Sequence, residues 1–500
     1  MKSRKAVRAI ASILLCGLGV WLALPNPYRE KTYLIDAGGC RLETTVVEKQ
    51  GGGSQGTVVL FHGISANKKI MSYVARGFAE QNLRVYVSDL PGHGHTPGPF
   101  SPERAEECGE ALLRLLLASG MANPDRTILA GHSMGGAIAL RIASRVAVAG
   151  VMAISPAPMH AAHGVSAEKL FFHDVPALTV PTLVISGSLE PESMHGNAAD
   201  LVRMGGDGTA KYLEIPGQTH VSLIFSSTVI RTAQEWCAQI LYLPSFGALP
   251  SHRPLLGALA GVVGLLLLAG PFLRELIGKK EEGAETESAP ALGRALAEIA
   301  IGSILAVVIL QFWNPLRRIH LFQGDYLAGF LLLLAVPLVV LHWSSIRSHF
   351  SGRLLGLLAA AFGAIMLLLL FTGWLDLSFY EAWLTAAKWL RIPFLLIALL
   401  PYHLAEEALL GPVQTGKRWR RLALALSFRL ISWAALLGGI FFLHSGQILM
   451  GLLAPYMALC NLIQRSGMDI VREKTGSAAA TAVFGAILLA GFCLVIFPIT

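Results

Sequence analysis

The stretch Thr127-Ile128-Leu129-Ala130-Gly131-His132-Ser133-Met134-Gly135-Gly136 decides the fold of the amino-terminal half of the chain. Apolar residues lead into a Gly-x-Ser-x-Gly pattern, and helix-forming residues follow from Ala137 to Ser144. A buried strand that turns sharply into a helix would expose the hydroxyl of Ser133 and aim the amide of Met134 at a developing oxyanion. The outer glycines suit such a turn because backbone packs against backbone there. The pattern predicts a serine nucleophile; the alternative is a glycine-rich turn that contains a serine by chance.

Composition excludes an ordinary soluble chain, because hydrophobic residues make up 54% of the 500 residues and charged residues only 14%. The net charge of +8 is unevenly distributed. Residues 31–250 hold 16 Lys and Arg against 18 Asp and Glu, and the remainder holds 24 against 14. The positive excess therefore lies among apolar segments, where it indicates membrane topology. No nucleic-acid motif is present in the sequence, and we expect no nucleic-acid partner.

The cysteines and loop histidines show no metal-ligand spacing, so we expect no metal and no cofactor. We interpret the six scattered cysteines as small buried residues. One disulfide among Cys40, Cys108 and Cys237 stays open as an alternative. The histidines in question are His160, His163, His173 and His195.

Strand and helix patterns alternate over residues 31–250. An antiparallel pair is predicted at 31–37 and 41–48, joined through Gly38-Gly39. Buried strands are predicted at 57–62, 84–89, 126–132, 150–155, 181–187 and 211–215. Helices are predicted at 70–81, 102–119, 134–145 and 221–241. The alternation predicts an α/β domain with a doubly wound, mostly parallel sheet that binds ligands at the carboxyl ends of its strands.

The rest of the chain has the pattern of a membrane protein. Basic residues precede an apolar run at 9–24, which we interpret as an uncleaved signal anchor within residues 1–30, with a cleaved signal peptide as the alternative. Residues 251–500 predict an all-α polytopic transmembrane bundle of about eight helices. Its apolar segments are 254–277, 295–313, 325–343, 354–375, 392–411, 422–443, 447–464 and 477–498, which makes nine spans with the anchor. A charged linker is predicted at 278–290 and an interfacial segment at 376–390.

Loop charges predict the orientation. If the amino terminus is cytoplasmic, loops on that side hold 17 lysines and arginines, whereas the opposite loops hold Arg317, Arg318, Lys388 and Arg391. The positive-inside rule then places the 31–250 domain outside the cytoplasm, whether or not the first segment is cleaved. Short loops and few cysteines favour a multi-pass protein of a bacterial cell membrane.

A serine nucleophile needs a base, and the base needs an orienting acid. His220 follows the last predicted strand and Glu190 follows the strand before it, which gives the chain order Ser, acid, His. Glu192 is the alternative acid, and Ser65 is an alternative contributor to the oxyanion site.

These motifs together resemble the α/β-hydrolase superfamily, in particular its monoacylglycerol-lipase and esterase branch. They are His62-Gly63, Asp89-Leu90-Pro91-Gly92-His93-Gly94, the Gly131-His132-Ser133-Met134-Gly135-Gly136 nucleophile elbow, Gly187-x-x-Glu190 and Pro216-Gly217-x-x-His220. The resemblance covers residues 31–245 and implies Ser133 as nucleophile, His220 as base and Glu190 as acid. It also implies oxyanion amides at Met134 and Ile64. The family usually has Asp at the position of Glu190.

Further residues are predicted to contact substrate: His62, Gly63, His132, Phe171 and Phe172. The short, apolar stretch between Ser155 and Pro181, in the position of a lid, favours an acyl substrate drawn from the bilayer. The alternative is an open pocket for small soluble esters.

We therefore predict a membrane-bound serine hydrolase that cleaves an ester, in particular the acyl chain of a lipid. The alternatives are a peptidase or amidase on the same fold, and a transporter or lipid-handling protein with the hydrolase domain as a sensor or binding module. In the membrane half, the stretch Tyr402-His403-Leu404-Ala405-Glu406-Glu407 is unusual because ionisable groups in apolar segments mark functional or paired sites. We expect His403 and Glu406 to pair with Arg429 or to line the bundle interior; a second catalytic centre of the CAAX-protease type is the alternative.

Overall fold

The computed structural model describes residues 2–24, 26–167, 170–205, 209–243, 247–277, 290–348, 354–411, 418–443, 447 and 449–500. The predicted linker at 278–290 lies outside these residues except for Pro290, as do four cations of the topology prediction, Lys279, Lys280, Arg353 and Lys417. The chain forms two compact units. The α/β unit comprises Trp21–Gly257, Leu375–Glu381 and Pro498–Thr500; the helical unit comprises Met1–Val20, Ala258–Trp374 and Ala382–Phe497.

The sheet of the α/β unit has eight strands: β1 (Tyr28–Ala37), β2 (Cys40–Lys49), β3 (Gly56–Phe61), β4 (Leu83–Ser88), β5 (Thr127–His132), β6 (Gly150–Ile154), β7 (Thr182–Gly187) and β8 (Ala210–Ile215). Their order across the sheet is β1-β2-β4-β3-β5-β6-β7-β8. β2 pairs antiparallel with β1 and with β4, and the other neighbours are parallel. This is the predicted doubly wound, mostly parallel sheet.

The α-helices within residues 2–243 are α1 (Lys2–Ala23), α2 (Ser72–Ala79), α3 (Pro102–Ala118), α4 (Met134–Ala143), α5 (Glu192–Gly205) and α6 (Ser227–Leu241). Strands β3, β5, β6 and β7 are almost completely buried, which explains their continuous apolar runs. On one face of the sheet Leu60 and Ile128 share a core with Phe78 of α2 and Ile230 of α6. The core thereby fixes the carboxyl ends of the central strands.

Helix α5 was not predicted. Its sequence is polar and contains Gly196, and neither feature indicates a helix. In the structure a Cβ at Gly196 would meet the ring of His163 at 2.9 Å, so this glycine allows the helix to pack closely against the preceding loop. Tertiary packing, rather than helix propensity, selects the helix here.

The interpretation of all six cysteines as unpaired is wrong for one pair. Cys40, at the start of β2, forms a disulfide with Cys108 of α3, with Cα atoms 5.3 Å apart. The structure therefore contains one disulfide among Cys40, Cys108 and Cys237, which was the alternative prediction. The other four cysteines are free. Because α3 packs against β1 and β2, residues 68 positions apart in sequence become neighbours.

The helices of the remaining chain are α7 (Arg253–Leu276), α8 (Leu292–Leu310), α9 (Gly324–Leu341), α10 (Trp343–Ser348), α11 (Leu354–Ser378), α12 (Ala386–Trp389), α13 (Ile392–Leu410), α14 (Arg418–Phe442), α15 (Leu449–Thr475) and α16 (Ala478–Ile496). Among the described residues, seven helical segments are long and apolar enough to span a membrane. Two of the nine predicted membrane spans are not among these seven segments. The apolar part of α1, Val7–Ala23, is shorter than the others, and α15 carries several charged residues.

Helix α16 lies at the centre of the helical unit. Its apolar stretch is 89% buried, against 28% for α7, and it packs against α13 and α15. Small residues allow close packing of α16, because side chains on Gly485 and Gly491 would collide with Met468 of α15 and with Leu368 of α11.

Candidate active site

Ser133 forms the turn between β5 and α4. Its backbone adopts φ 55° and ψ −121°, which is strained for a residue with a Cβ. A Cβ on Gly135 would collide with the carbonyl oxygens of Phe61 and His62, so only glycine lets the turn close against β3. The Ser133 amide donates to the Ile154 carbonyl oxygen at 2.9 Å and so ties the turn to β6. The strand, strained turn and helix predicted from the sequence are all present.

His220 and Glu190 meet at the carboxyl ends of β8 and β7. Nδ1 of His220 lies 2.7 Å from Oε1 of Glu190, and the second carboxylate oxygen accepts from the Gly187 amide at 2.7 Å. Both residues are buried. A carboxylate on Nδ1 fixes the imidazole tautomer and leaves Nε2 to accept a proton, the arrangement that activates a serine in hydrolase triads.

The structure brings Glu190, and not Glu192, to His220. The Glu192 side chain is 62% exposed and pairs with His195 at 3.0 Å and with His163 at 3.3 Å. For Glu190, burial alone would raise the pKa, but hydrogen bonds with His220, Gly187 and Ser155 outweigh burial and lower it. The carboxylate is therefore ionised at neutral pH and stabilises a protonated His220.

Ser155 is a site residue that the sequence did not indicate. It follows β6, adopts φ 44°, and hydrogen-bonds Oε1 of Glu190. Its Oγ also lies 2.8 Å from Nδ1 of His220. The available signal was its position at the carboxyl end of a central strand, where ligands and functional groups collect in this class of sheet.

His132 supports the loop that carries the base. Its Nε2 lies 2.9 Å from the His220 carbonyl oxygen, and the two rings are 4.7 Å apart. Burial, and next the nearby His220, lower the pKa of His132 to about 3. The ring is therefore neutral, and Nε2–H donates to that carbonyl.

His62 is completely buried and its two ring nitrogens are engaged inside the fold. Nδ1 donates to the Gly63 carbonyl oxygen at 2.7 Å, and Nε2 accepts from the Leu90 amide at 3.0 Å. This geometry favours a structural role, and substrate contact by His62 and His132 stays a prediction.

The two predicted oxyanion donors flank the nucleophile. Met134 is the first residue of α4, where backbone amides lack helical partners. Gly63 passes so close that a Cβ there would lie 3.0 Å from Cβ of Ser133, and Ile64 follows it directly. Both amides therefore belong to segments next to Ser133, and their role as oxyanion donors stays a prediction.

The lid stretch contains the two predicted apolar contacts, although its residues 168 and 169 lie outside the described chain. Phe172 is buried beneath Arg141, whose guanidinium carbon is 5.1 Å from the ring centre, and Phe171 is half-buried. His163 and His160 contact the carboxylate of Asp200 at 2.7 and 3.4 Å. These histidines therefore pair with an acid.

The ionisable residues of the His403–Glu407 stretch lie in a buried cluster of paired groups in the helical unit. Glu406 accepts from Arg429 at 2.7 and 2.9 Å and from Arg465 at 3.1 Å. Nδ1 of His403 is 3.4 Å from Glu406, and Gln464 contacts Nε2 at 2.8 Å. Glu407 pairs with Arg421 at 2.6 Å. A glutamate held by two arginines is a poor base for activating water, so this geometry favours the predicted pairing.

The sheet order and the strained serine turn define the fold class: the α/β unit has the α/β-hydrolase fold, with a buried histidine–glutamate pair at the ends of its strands. Residues 52–209 match the family model described as serine aminopeptidase, S33. A curated relative is the dihydrolipoyllysine-residue acetyltransferase component of the acetoin cleaving system of Pseudomonas putida, with 37% identity over 93 residues. The match covers 18% of this chain and spans about a quarter (24%) of the length of that relative.

Solved structures with similarity to this chain include an α/β serine hydrolase homologue from Coxiella burnetii, at 17% identity and a TM-score of 0.35, over 43% of this chain and 97% of the other. A monoacylglycerol lipase of Paleococcus ferrophilus matches at 18% identity and a TM-score of 0.33, over 40% of this chain and 99% of the other.

Proposed function

We propose that this protein is a membrane-bound serine hydrolase that cleaves the acyl ester of a lipid on the extracytoplasmic side of a bacterial cell membrane. The observation that carries the proposal is the buried His220–Glu190 pair, which lies in the same unit as a serine held at a strained strand-to-helix turn.

Each residue has a defined task in this reaction. Ser133 Oγ attacks the ester carbonyl carbon while Nε2 of His220 takes the hydroxyl proton, and Glu190 stabilises the resulting imidazolium. The amides of Met134 and Ile64 bind the tetrahedral oxyanion. The alcohol leaves with the proton from His220, and the Ser133 acyl ester remains. Water, deprotonated by His220, then attacks this ester, and Ser133 recovers its proton as the fatty acid departs.

A lipid substrate is supported by two features. The described part of the chain carries seven helical segments that are apolar enough to span a membrane, and the lid stretch contains apolar side chains such as Phe172 and Leu178. An acyl chain is the substrate group that an apolar lid binds most favourably, since each buried methylene contributes about 0.8 kcal/mol.

The extracytoplasmic orientation is supported by the Cys40–Cys108 disulfide, because disulfides persist in oxidising compartments. The loop-charge asymmetry points to the same side. A bacterial membrane is supported by the source of the curated relative.

A second candidate is cleavage of an aminoacyl amide, which is favoured by the description of the matching family model as a serine aminopeptidase. The same nucleophile and base would serve, because the triad does not determine which acyl bond is cleaved.

A substrate panel distinguishes the two. Full-length protein in nanodiscs is assayed with monoacylglycerol, with p-nitrophenyl esters of short and long acids, and with aminoacyl p-nitroanilides. Ser133→Ala is the inactive control, and Ser144→Ala, at the end of α4, is the matched serine control. The proposal expects ester cleavage that increases with acyl length. Cleavage of anilides without esters would establish the second candidate instead.

A further inference from the structure

A segment that is distant in sequence from every hydrolase motif packs against the loop that carries Ile64. Residues Leu375–Glu381, which lie in sequence between the body of α11 and α12, belong to the α/β unit. We call residues 62–68, which follow β3, the oxyanion loop. Two side chains of the 375–381 segment, Tyr380 and Glu381, contact this loop.

Tyr380 holds the loop next to Ile64. Its hydroxyl donates to the Ser65 carbonyl oxygen at 2.8 Å, and the side chain is buried. Ser65 adopts φ 56°, and its amide donates to Nε2 of His93 at 3.2 Å. The peptide groups that directly follow Ile64 are therefore held from both sides in a conformation that is strained for serine. Burial raises the pKa of Tyr380, so its hydroxyl remains a donor across the working pH range.

Glu381 holds the far end of the loop through Lys68. The buried ammonium of Lys68 contacts Glu381, and it lies 2.7 Å from Asp89 and 2.5 Å from Glu43. The Lys68 amide donates to the other Asp89 oxygen at 2.7 Å. The Asn67 side-chain amide donates to the Glu381 carbonyl oxygen at 3.2 Å. Both the backbone and the side chains at this end of the loop are thereby fixed.

The charged groups around Glu381 determine whether its carboxyl group carries a proton. It faces Lys68 and Asp89 directly, His95 lies 4.0 Å away, and His95 contacts Glu43 at 3.2 Å. Burial and the adjacent Asp89 raise the pKa of Glu381 to about 8. Burial opposes the ionisation of Asp89 as well, but Lys68 outweighs it and lowers the pKa of Asp89 to about 2. One proton therefore stays on this carboxyl pair at neutral pH, and a protonated Glu381 can donate it to Asp89 while it accepts from Lys68.

The group of Glu43, His95 and Glu381 has the spacing of metal ligands. The Lys68 ammonium, however, already contacts two of its three members and supplies the positive charge there. The cluster is therefore better suited to hold the loop than to bind a cation.

We propose that Tyr380 and Glu381 are positioning residues for hydrolysis, which hold the oxyanion loop so that the Ile64 amide faces the substrate carbonyl. This inference rests on the proposed function. It assigns a role in catalysis to a segment that lies between two candidate membrane spans in sequence.

The hydroxyl of Tyr380 is tested with full-length Tyr380→Phe in nanodiscs, with p-nitrophenyl butyrate as substrate. Misplacing an oxyanion donor raises the transition-state barrier without changing ground-state binding, so we expect kcat to fall about tenfold with KM unchanged. Tyr456→Phe is the matched control, because the Tyr456 hydroxyl donates to the Phe492 carbonyl oxygen at 3.1 Å within the helical unit. It should match Tyr380→Phe in Tm and wild type in kcat.

Glu381 is tested with a pair of variants. Glu381→Ala should lose about tenfold or more in kcat below pH 8, because it removes the link to Lys68 and Asp89. Glu381→Gln can accept from Lys68 and donate to Asp89 as the protonated acid does, so below pH 8 it should keep wild-type kcat. Wild-type kcat should decline as pH rises past about 8, where Glu381 ionises, and Glu381→Gln should not share this decline.

These experiments distinguish failure of the proposed function from failure of the inference about Tyr380 and Glu381. A folded wild type without hydrolytic activity would contradict the proposed function and this inference with it. An active wild type whose Tyr380→Phe and Glu381→Ala variants keep kcat within about twofold would overturn the inference alone, since an oxyanion donor contributes more than that. An equal loss of kcat in Tyr456→Phe would also overturn it.

Discussion

Oγ of Ser155 lies 2.8 Å from Nδ1 of His220 and also hydrogen-bonds Glu190, so the residue that follows β6 supplies a third group to the acid–base pair. Nδ1 carries one hydrogen, which it donates to Glu190, and the Ser155 hydroxyl donates to the same carboxylate oxygen. With the Gly187 amide on the second oxygen, the acid is held by three donors. Such an anchored carboxylate keeps His220 in one orientation.

Removal of the Ser155 hydroxyl should therefore slow catalysis. The loss of one hydrogen bond to a charged group corresponds to about 1.5–3 kcal/mol, or roughly tenfold to a hundredfold in kcat, if it is fully expressed in the transition state. Ser155→Ala and Ser155→Gly should show similar losses in steady-state ester hydrolysis, with KM unchanged. Glycine also relieves the φ of 44°, so it controls for backbone strain. Wild-type kcat in both variants would show that the hydroxyl does not hold the acid.

Glu190 and Glu192 can be separated by matched substitutions. Glu190→Gln removes the charge that stabilises protonated His220 and places an amide against Nδ1, so we expect kcat to fall by about a hundredfold or more. Glu192→Gln should keep wild-type kcat, because its side chain is 62% exposed and contacts His163 and His195. The reverse ranking of the two variants in the same assay would assign the acid to Glu192.

Burial of neutral His132 should make the fold sensitive to acid. Its folded pKa of about 3 lies below its ordinary value, so the unfolded state binds more protons at intermediate pH. The stability that neutral His132 contributes is complete above about pH 6.5 and is lost as the pH falls toward 3. The Tm advantage of wild type over His132→Gln should therefore shrink as pH falls.

The matched control for this measurement is His173→Gln, because His173 is exposed. Its Tm over the same pH range measures the effect of removing an exposed histidine. A Tm gap between wild type and His132→Gln that does not change with pH would contradict the assignment of His132 as a buried neutral residue.

The Cys40–Cys108 disulfide should stabilise the α/β unit. Closure of a loop of 68 residues restricts the unfolded chain, and such a bridge contributes about 2–4 kcal/mol. Cys40→Ser with Cys108→Ser, or treatment with a reductant, should lower the Tm of the α/β unit. Cys237→Ser, at a buried free cysteine, is the control in which a reductant should still lower the Tm. Equal Tm with and without reductant would show that the two cysteines are unpaired.

The sequence predicted the α/β sheet well because the strands are short apolar runs between turn residues, and the serine turn needs glycines at fixed spacing. Glu190 and His220 could be predicted as acid and base because they follow adjacent strands. Ser155 could not, since a serine after a strand is common and its partners are 35 and 65 residues away. Nothing in the sequence indicated a role in catalysis for Tyr380 and Glu381, because their contacts with Ser65 and Lys68 span more than 300 residues.

The labelling of Ser133 by a fluorophosphonate probe tests the central claim most directly. Full-length wild type, Ser133→Ala and His220→Ala are treated in nanodiscs, and the modified peptide is identified by mass spectrometry. We predict that wild type is modified at Ser133, and that neither variant is modified at a comparable rate. A folded wild type that stays unmodified, or one that is modified at another serine, would contradict it.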